Sequence, residues 1–275
     1  MPHLLRIAPA DDAPQEGRSV VLARLWPQGI PAGASFAREP AAISLLLLAA
    51  EALPHGDLTL LFPPAEEKRA AALCAWLIGR LAAIEKAKPR KAALRRAVRE
   101  RADALAEGYR RAAGAAITAH LLADARYRSA EKLFVYVSLP KEPDTAAIIA
   151  DALAAGKAVY VPKCIARHVM QAVRIRSAKE LVPGTLGIPE PAGCGETASA
   201  DALDLVLAPC AAVSRDGVRL GHGAAYYDAF LRGSETTAIC LCFAELLIDE
   251  IPSTCLDVRM DDVLTENGFC TAGKF

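Results

Sequence analysis

The fold is decided by Leu203-Asp204-Leu205-Val206-Leu207-Ala208-Pro209 and by the later stretch Arg219-Leu220-Gly221-His222-Gly223-Ala224-Ala225-Tyr226-Tyr227-Asp228. The first run is typical of a strand, and the second leads from glycines into a helix-like segment. Glycines at the mouth of a helix let the backbone approach an anion, because free N–H groups and the helix dipole favour negative charge there. Arg219 and Asp228 flank the loop with charges suited to a phosphate and a metal ion. A loop with two glycines can also be a simple tight turn, so the rest of the chain must decide.

Length and composition are those of a globular protein. At 275 residues, the chain is long enough for one large domain or two modest ones. Hydrophobic residues make up 53% and aromatic residues only 5%, which is typical of a soluble protein rich in alanine and leucine. The 32 basic residues balance the 32 acidic ones, so no net field favours nucleic acid or a membrane surface as a partner.

Cysteine usage and apolar runs bear on the compartment. The eight cysteines are scattered, without a Cys-x-x-Cys pair, and they predict buried thiols in a reducing compartment. The most apolar run, residues 44–50, is far shorter than the roughly 20 residues that a membrane span needs. The amino terminus carries acids and prolines in place of a signal sequence. We therefore expect a cytoplasmic protein.

Residues 1–86 predict a small α/β appendage in which no motif carries chemistry. Residues 1–16 are rich in proline, aspartate and alanine and predict a loose lead-in. The strands predicted after it are 18–25 and 58–62, and the helices are 36–53 and 65–85. A basic linker at residues 86–90, with Pro89 in it, predicts a boundary before a second domain at residues 88–275.

Strands alternate with helices in the second domain. The predicted helices are 91–106, 109–124 and 145–155, and the predicted strands are 132–138, 158–162, 170–176, 203–209 and 237–243. This alternation implies an α/β fold with a mainly parallel sheet covered by helices. In such sheets ligands bind beyond the carboxyl ends of the strands, and the glycine loop falls there.

The helix predicted from residue 91 is strongly basic. Lys91 and Arg95 are four residues apart, so they share one helical face and could bind the same polyphosphate. A solvated basic face is an alternative, and contact with RNA is another. Glu100 and Asp103 interrupt the basic stripe, and the zero net charge fits poorly with RNA binding.

Five motifs occur in a family order. They are Lys91-x-x-Leu94-Arg95, Val137-Ser138-Leu139-Pro140-Lys141-Glu142-Pro143-Asp144-Thr145, Gly187-Ile188-Pro189-Glu190-Pro191, the glycine stretch 219–228, and Asp257-Val258-x-x-Asp261. Over about residues 88–268 the chain resembles the 5-formyltetrahydrofolate cyclo-ligase family, also called methenyltetrahydrofolate synthetases. The resemblance implies a sheet of the NagB/RpiA/CoA-transferase type.

The resemblance also implies an activity. The family converts 5-formyltetrahydrofolate into 5,10-methenyltetrahydrofolate, using ATP and Mg2+ and releasing ADP and phosphate. ATP phosphorylates the formyl oxygen, the neighbouring folate amine attacks the activated carbon, and phosphate leaves. Phosphoryl transfer depends on positioning and charge neutralisation, so cations, backbone amides and a metal ion should carry it. The alternative is a non-catalytic folate- or nucleotide-binding relative whose role is set by residues 1–86, although retention of both aspartates and Arg219 favours the enzyme.

Site residues follow from the motif positions. The resemblance assigns ATP binding to Lys91, Ala92, Ala93, Leu94, Arg95, Arg219, Leu220, Gly221, His222, Gly223, Ala224, Ala225, Tyr226 and Tyr227. It assigns catalysis to Arg219, Tyr226 and Asp228, and folate binding to Val137, Glu142 and Tyr226. Asp228 and Asp257 would hold magnesium, a hard ion that prefers oxygen ligands.

Several of these residues have a structural alternative. Glu142 could cap the helix that follows it. Asp257 lies in an alternating run, 256–261, that would look the same in a solvated edge strand. His222 could switch its protonation near neutral pH, but family members vary at this position and we do not assign it a catalytic role. The other histidines are isolated, which is typical of surface or capping residues.

The glycine loop departs from the family at two positions. The usual third glycine is Ala225, and Ala224 stands where many members have lysine or glycine. If position 225 needs a positive φ, alanine costs about 1 kcal/mol or more. If Ala225 is the first helical residue instead, it is harmless. We favour the second interpretation, because Tyr226-Tyr227-Asp228 looks helical.

Overall fold

The structure is a computed structural model, and it describes residues 5–12, 18–31, 36, 39–55, 57–166, 168–184, 187–193 and 195–270. The chain divides into two compact units. Unit 1 comprises Met1–Pro89 and Thr254–Leu256, and unit 2 comprises Arg90–Ser253 and Asp257–Phe275. Within the described ranges, no helix has both the length and the apolar character needed to cross a bilayer.

Unit 1 is built on a three-stranded parallel sheet. Its strands are β1 (Leu5–Pro9), β2 (Arg18–Val21) and β3 (Leu58–Phe62), in the order β1-β3-β2. All five residues of the central strand β3 are buried, as expected for apolar residues between two neighbouring strands. The helices α1 (Leu22–Leu25) and α2 (Pro40–Ala52) belong to this unit. The α/β character predicted for the appendage is confirmed.

Two predictions in unit 1 are wrong. Residues 5–9 lie within the predicted lead-in but form strand β1, because the buried strand β3 offers them a full parallel register. The strand predicted at 18–25 ends at Val21, and the chain continues as α1. Short elements of this kind are set by tertiary pairing more than by local propensity.

The predicted linker at residues 86–90 is also wrong. Helix α3 runs without a break over Glu67–Ala104 and has Pro89 in its interior. Proline lacks an N–H group, so the carbonyl of Glu85 loses its helical donor. The surrounding alanines, lysines and arginines are strong helix formers and no glycine is nearby, so the helix continues through the defect.

Unit 2 is built on an eight-stranded sheet. Its strands are β4 (Lys132–Val135), β5 (Ala158–Ala166), β6 (Val169–Ile175), β9 (Thr197–Ala198), β10 (Leu205–Ala208), β13 (Thr237–Leu241), β14 (Asp262–Thr265) and β15 (Gly268–Cys270). Their order is β15-β14-β13-β10-β4-β5-β6-β9. The neighbours from β14 to β5 are parallel, and the pairs nearer each edge are antiparallel. The predicted mainly parallel sheet is confirmed.

Two small ladders and the α-helices that follow α3 complete the described part of unit 2. The ladders pair β7 (Leu181–Pro183) with β8 (Pro189–Pro191), and β11 (Ala212–Val213) with β12 (Arg219–Leu220). The helices after α3 are α4 (Glu107–Ala123), α5 (Ala125–Ser129), α6 (Ala146–Ala154) and α7 (Tyr226–Phe230). Helix α4 packs on β14, α6 on β5, and α7 on β6. Strand β10 is buried at all four positions in the centre of the sheet.

The strand order brings two loops to one edge of the sheet. The loop with Glu142 follows β4, and the glycine loop follows β10 by way of the β11–β12 hairpin. Strands β4 and β10 are parallel neighbours, so their carboxyl ends lie side by side. Segments far apart in the sequence therefore meet where ligands of such sheets bind.

The proline inside α3 can be tested by replacement. We expect Pro89→Ala to raise the free energy of unfolding by about 1–3 kcal/mol, because it restores the N–H donor and removes the ring clash. Urea denaturation followed by circular dichroism measures the change. Lys86→Ala is the matched control at an exposed position of the same helix, and it should change stability by no more than about 0.5 kcal/mol. A Pro89→Ala variant less stable than the wild type would show that the chain needs the proline.

Candidate active site

Arg219 is the buried centre of the glycine loop. It lies on β12 with 4% of its side chain exposed. Nη1 donates to the carbonyl of Pro209 at 3.2 Å, and Nη2 donates to Oδ2 of Asp228 at 3.0 Å. The guanidinium carbon lies 5.3 Å from the centre of the Tyr227 ring. Arg219 therefore links the end of β10 to the first turn of α7.

The two aspartates predicted to bind metal are brought together. Oδ1 of Asp228 accepts the backbone N–H of Val258 at 3.0 Å, which places the segment of Asp257 beside Asp228. Asp257 is paired with the ammonium group of Lys91. The edge-strand alternative for Asp257 is wrong, since no strand includes residues 257–260.

Lys91 and Arg95 reach this cluster from the second half of α3. The Arg95 Nε donates to the carbonyl of Gly221 at 2.7 Å. Burial lowers the pKa of Arg95. The negative charges of Asp257 and Asp228 oppose this shift, whereas the positive charge of Arg219 adds to it. Lys91 and Arg95 therefore do not lie on a freely solvated face of α3, because each contacts a residue of another motif.

Glycine is required at the start of the loop. A Cβ atom at Gly221 would lie 2.8 Å from the Nη1 of Arg219, and Gly223 has a φ of +114°. Within the described residues, no hydrogen bond uses the backbone N–H groups of residues 222–224. Unpaired amides beside Arg219 and Arg95 form a suitable place for an anion.

Glu142 faces the glycine loop from the loop after β4. Its Oε2 accepts the N–H of Leu139 at 2.8 Å, and its Oε1 lies 2.9 Å from the Nε2 of His222. The helix-cap alternative for Glu142 is wrong. Helix α6 begins at Ala146, and the carboxylate that accepts the Ala146 N–H belongs to Asp144.

A cavity of about 360 Å3 lies beside these loops in unit 2. Apolar side chains cover much of its wall, while basic and acidic groups stand among them. Its lining is Arg95, Val98, Arg99, Ala102, Asp103, Leu139, Pro140, Lys141, Glu142, Cys210, Ala211, His222 and Leu246. Arg95 and His222 also belong to the cluster of motifs around the glycine loop, so the cavity and the anion site adjoin.

A family model described as "5-formyltetrahydrofolate cyclo-ligase family" matches residues 87–266, which span every residue of this cluster. The chain belongs to the 5-formyltetrahydrofolate cyclo-ligase family. The match begins at residue 87, so residues 1–86 lie outside it.

Named members of this family resemble more than half of the chain. The Mus musculus 5-formyltetrahydrofolate cyclo-ligase is 29% identical over 190 residues, which cover 64% of this chain and 94% of that protein. A probable 5-formyltetrahydrofolate cyclo-ligase of Caenorhabditis elegans is 35% identical and covers 51% of this chain and 75% of its own length.

Solved structures support the same fold. The 5,10-methenyltetrahydrofolate synthetase of Aquifex aeolicus superposes with a TM-score of 0.60 at 24% identity, over 67% of this chain and 94% of that chain. The synthetase of Mycoplasma pneumoniae gives a TM-score of 0.53 at 18% identity, over 64% and 98%. At such identities these likenesses establish the α/β fold of unit 2 and nothing further.

The preferred interpretation of Ala225, as the first helical residue, is wrong. Ala225 has φ 54° and ψ 21°, the left-handed conformation, and it is the N-cap of α7 in place of the first helical residue. The loop must reverse its direction before Tyr226, and that turn needs a positive φ whichever residue occupies the position. Alanine there costs about 1–2 kcal/mol compared with the right-handed region.

The two loop tyrosines have different surroundings. Tyr227 is buried against Arg219 and Phe134, its hydroxyl has no hydrogen-bond partner within the described residues, and burial raises its pKa. Tyr226 is half-buried, and burial together with the nearby thiol of Cys164 raises its pKa. Tyr227 therefore packs under the guanidinium, while Tyr226 stays open to solvent.

The remaining predicted residues are spread around the cluster. Leu220 is buried in β12, and Leu94 and Val137 pack partly buried against the main core. Ala92 and Ala93 are exposed on α3. Val137 and Tyr226 are not part of the cavity wall that contains Glu142.

Sequence reasoning missed His168. Its Nδ1 lies 2.6 Å from the carbonyl oxygen of Ala224, so His168 contacts the glycine loop. No local pattern marks a lone histidine in a turn as a site residue. Arg99 was also missed, although it follows Arg95 by four residues and that spacing places both on the face of α3 that lines the cavity.

The two predicted magnesium ligands can be compared with what that ion requires. Within the described residues, no three or more His, Cys, Asp or Glu side chains are grouped as metal ligands. Asp228 nevertheless bonds to the N–H of the residue that follows Asp257, so both carboxylates belong to this part of the site. Mg2+ usually takes one or two carboxylates and completes its shell with water and phosphate oxygens, so the residues present fit this ion.

The left-handed conformation of Ala225 predicts that glycine at position 225 and glycine at position 224 change the free energy of unfolding in opposite directions. We expect Ala225→Gly to raise the free energy of unfolding by about 0.5–1 kcal/mol, because glycine adopts the left-handed conformation without strain. Ala224→Gly should lower it by about 0.4–1 kcal/mol, because the position has no positive φ and glycine only adds entropy to the unfolded chain. Thermal and urea unfolding compare the two, and equal shifts would contradict the assignment.

Proposed function

We propose that this protein catalyses the ATP- and Mg2+-dependent conversion of 5-formyltetrahydrofolate to 5,10-methenyltetrahydrofolate, with release of ADP and phosphate. One observation carries the proposal. Arg95 bonds to the glycine loop through Gly221 and also lines the cavity that contains Glu142. The guanidinium of Arg95 thus lies between the proposed phosphate site and the apolar cavity that contains the Glu142 carboxylate. A reaction that transfers a phosphoryl group from ATP to a folate needs the two binding sites to adjoin in this way.

The phosphate side is formed by cations and backbone amides. Lys91, Arg95 and Arg219 together with Asp228 and Asp257 leave one positive charge, three minus two, in a mostly buried cluster. The formyl oxygen is a poor leaving group until it is phosphorylated. Catalysis of that step requires ATP and the formyl group to be held in line and the phosphate charge to be neutralised.

We place magnesium at Asp228 and Asp257. When bound, the ion would neutralise phosphate charge and orient the transferred group. In the structure, Lys91 pairs with Asp257 and Arg219 pairs with Asp228. Phosphate oxygens of ATP can replace Asp257 as the partner of Lys91, and magnesium would then be the charged partner of Asp257. The buried Arg219 keeps its bond to Asp228.

The folate side is the cavity. Its volume of about 360 Å3 lies within the range of small-molecule sites, which are mostly apolar with a few placed polar groups. The carboxylate of Glu142 can accept paired hydrogen bonds from the donor edge of a pterin. Tyr226 and Val137 remain proposed substrate contacts on the resemblance alone.

We further propose that residues 88–275 carry this activity and that residues 1–86 are an appendage. The proposal is supported by the family match, which starts at residue 87, and by the main core of unit 2, whose buried residues all come from Val98 onward.

The activity is tested directly with purified protein, 5-formyltetrahydrofolate and Mg-ATP. We expect methenyl absorbance to appear with one ADP formed for each methenyl product, and no product when ATP is omitted or the metal is chelated. Folate binding without any turnover would contradict the proposed reaction and leave a binding protein.

Asp228→Asn separates the metal role from folding. The amide oxygen can still accept a bond from Arg219 or Val258, but the buried guanidinium loses its counter-charge, so circular dichroism and urea denaturation first establish that the variant is folded under the assay conditions. We expect turnover to fall by at least about 100-fold, because the variant loses a charge at the phosphoryl-transfer site. Asp216→Asn removes an exposed carboxylate that pairs with Arg259 on the surface and should keep wild-type turnover. Normal turnover in Asp228→Asn would refute the metal role.

A further inference from the structure

One contact joins the two loops of the candidate active site. The Nε2 of His222 lies 2.9 Å from the Oε1 of Glu142, across 80 positions of sequence. His222 belongs to the glycine loop, which the resemblance assigns to ATP. Glu142 belongs to the loop after β4, on the folate side. The imidazole of His222, on the loop assigned to ATP, therefore contacts the carboxylate of Glu142 on the folate side.

The environment of the pair is asymmetric. The side chain of Glu142 is 7% exposed, whereas that of His222 is 54% exposed. A mostly buried carboxylate needs hydrogen-bond donors, since an unpaired buried acceptor is costly. Glu142 has one donor on each oxygen, the Leu139 N–H on Oε2 and the imidazole on Oε1. Together they fix the plane of the carboxylate.

Two fixed donors still leave Glu142 able to bind a ligand. Each oxygen of an ionised carboxylate has about two acceptor sites, so one site on each oxygen remains. A ligand with two adjacent N–H donors, such as the edge of a pterin, can take both remaining sites at once. The imidazole need not leave when such a ligand binds.

The phosphate-side cations have other partners. Arg95 donates to Gly221, Lys91 pairs with Asp257, and Arg219 pairs with Asp228. The hydrogen bond of His222 goes to Glu142 instead. Both side chains line the cavity together with Arg95, Arg99 and Lys141, and only His222 among these basic residues bonds to Glu142.

We propose that His222 is a positioning residue for folate, which holds the Glu142 carboxylate in the orientation that accepts the substrate's donor edge. The inference rests on the proposed function, and it moves His222 from the ATP side of the site to the folate side. The loss of the imidazole leaves Oε1 without its donor and lets the carboxylate rotate away from the binding orientation.

The test compares His222→Ala with His222→Gln, whose amide N–H can replace the imidazole donor. Calorimetric titration with 5-formyltetrahydrofolate in the absence of ATP gives the dissociation constant without any need for turnover. We expect His222→Ala to raise this constant, and the KM for the folate, by about three- to tenfold, which corresponds to the loss of one hydrogen bond of ordinary net strength. The KM for ATP should stay within about twofold, and His222→Gln should recover most of the folate affinity.

A double-mutant cycle shows whether His222 acts through Glu142. Glu142→Gln should weaken folate binding, and His222→Ala in that background should add less than about a twofold change. His120→Ala is the matched control, because His120 is an exposed histidine of unit 2 with one hydrogen bond, to the carbonyl of Glu266. It should leave the folate constant unchanged.

Three results would overturn the inference: an unchanged folate constant in His222→Ala, an increase in the KM for ATP alone, or a full additional loss in the Glu142→Gln background. The proposed function can fail separately. A wild-type protein that binds the folate without turnover would refute the reaction, and the binding constants would still decide the role of His222.

Discussion

The active-site half of this protein depends on the burial of Arg219. A guanidinium removed from water must be surrounded by acceptors, because an unpaired buried charge is strongly destabilising. Here the acceptors are the Pro209 carbonyl at the end of β10 and the carboxylate of Asp228 on α7, and the Tyr227 ring covers the cation. The requirements of one side chain thus fix the positions of a strand end, a loop and a helix.

The same constraint extends to more distant segments. Asp228 is held by Arg219 and accepts the N–H of Val258, so the segment that contains Asp257 is drawn to the loop. Asp257 then pairs with Lys91 on α3. The motif on α3, more than a hundred residues away in sequence, thus joins the glycine loop and the segment of Asp257 in one cluster of paired charges. Such a cluster tolerates the addition of a polyphosphate and a cation, because both bring charges that its members already pair with.

The parallel sheet could be predicted because apolar strand runs alternate with helical segments in unit 2, and this pattern depends little on distant contacts. Most members of the charged cluster could be named from motifs. The continuity of α3 through Pro89 could not be predicted, since it depends on helix formers on both sides outweighing one missing N–H donor. The left-handed Ala225 was misjudged because the turn is imposed by the loop and not by the residue. The hydrogen bond between Glu142 and His222 joins two loops that meet because β4 and β10 are neighbouring parallel strands. No local sequence pattern predicts this contact.

The antiparallel strands at the two edges of the main sheet have a consequence for solubility. The buried parallel strands would offer a long row of unpaired amides and carbonyls if the sheet ended on one of them, and such edges recruit other chains. The described sheet instead ends on β9, with two residues, and on β15, with three. The edge at β15 therefore presents little backbone for a second molecule to extend, and β9 covers Ala172 and Val173 of β6, which limits sheet-to-sheet aggregation of a highly apolar chain.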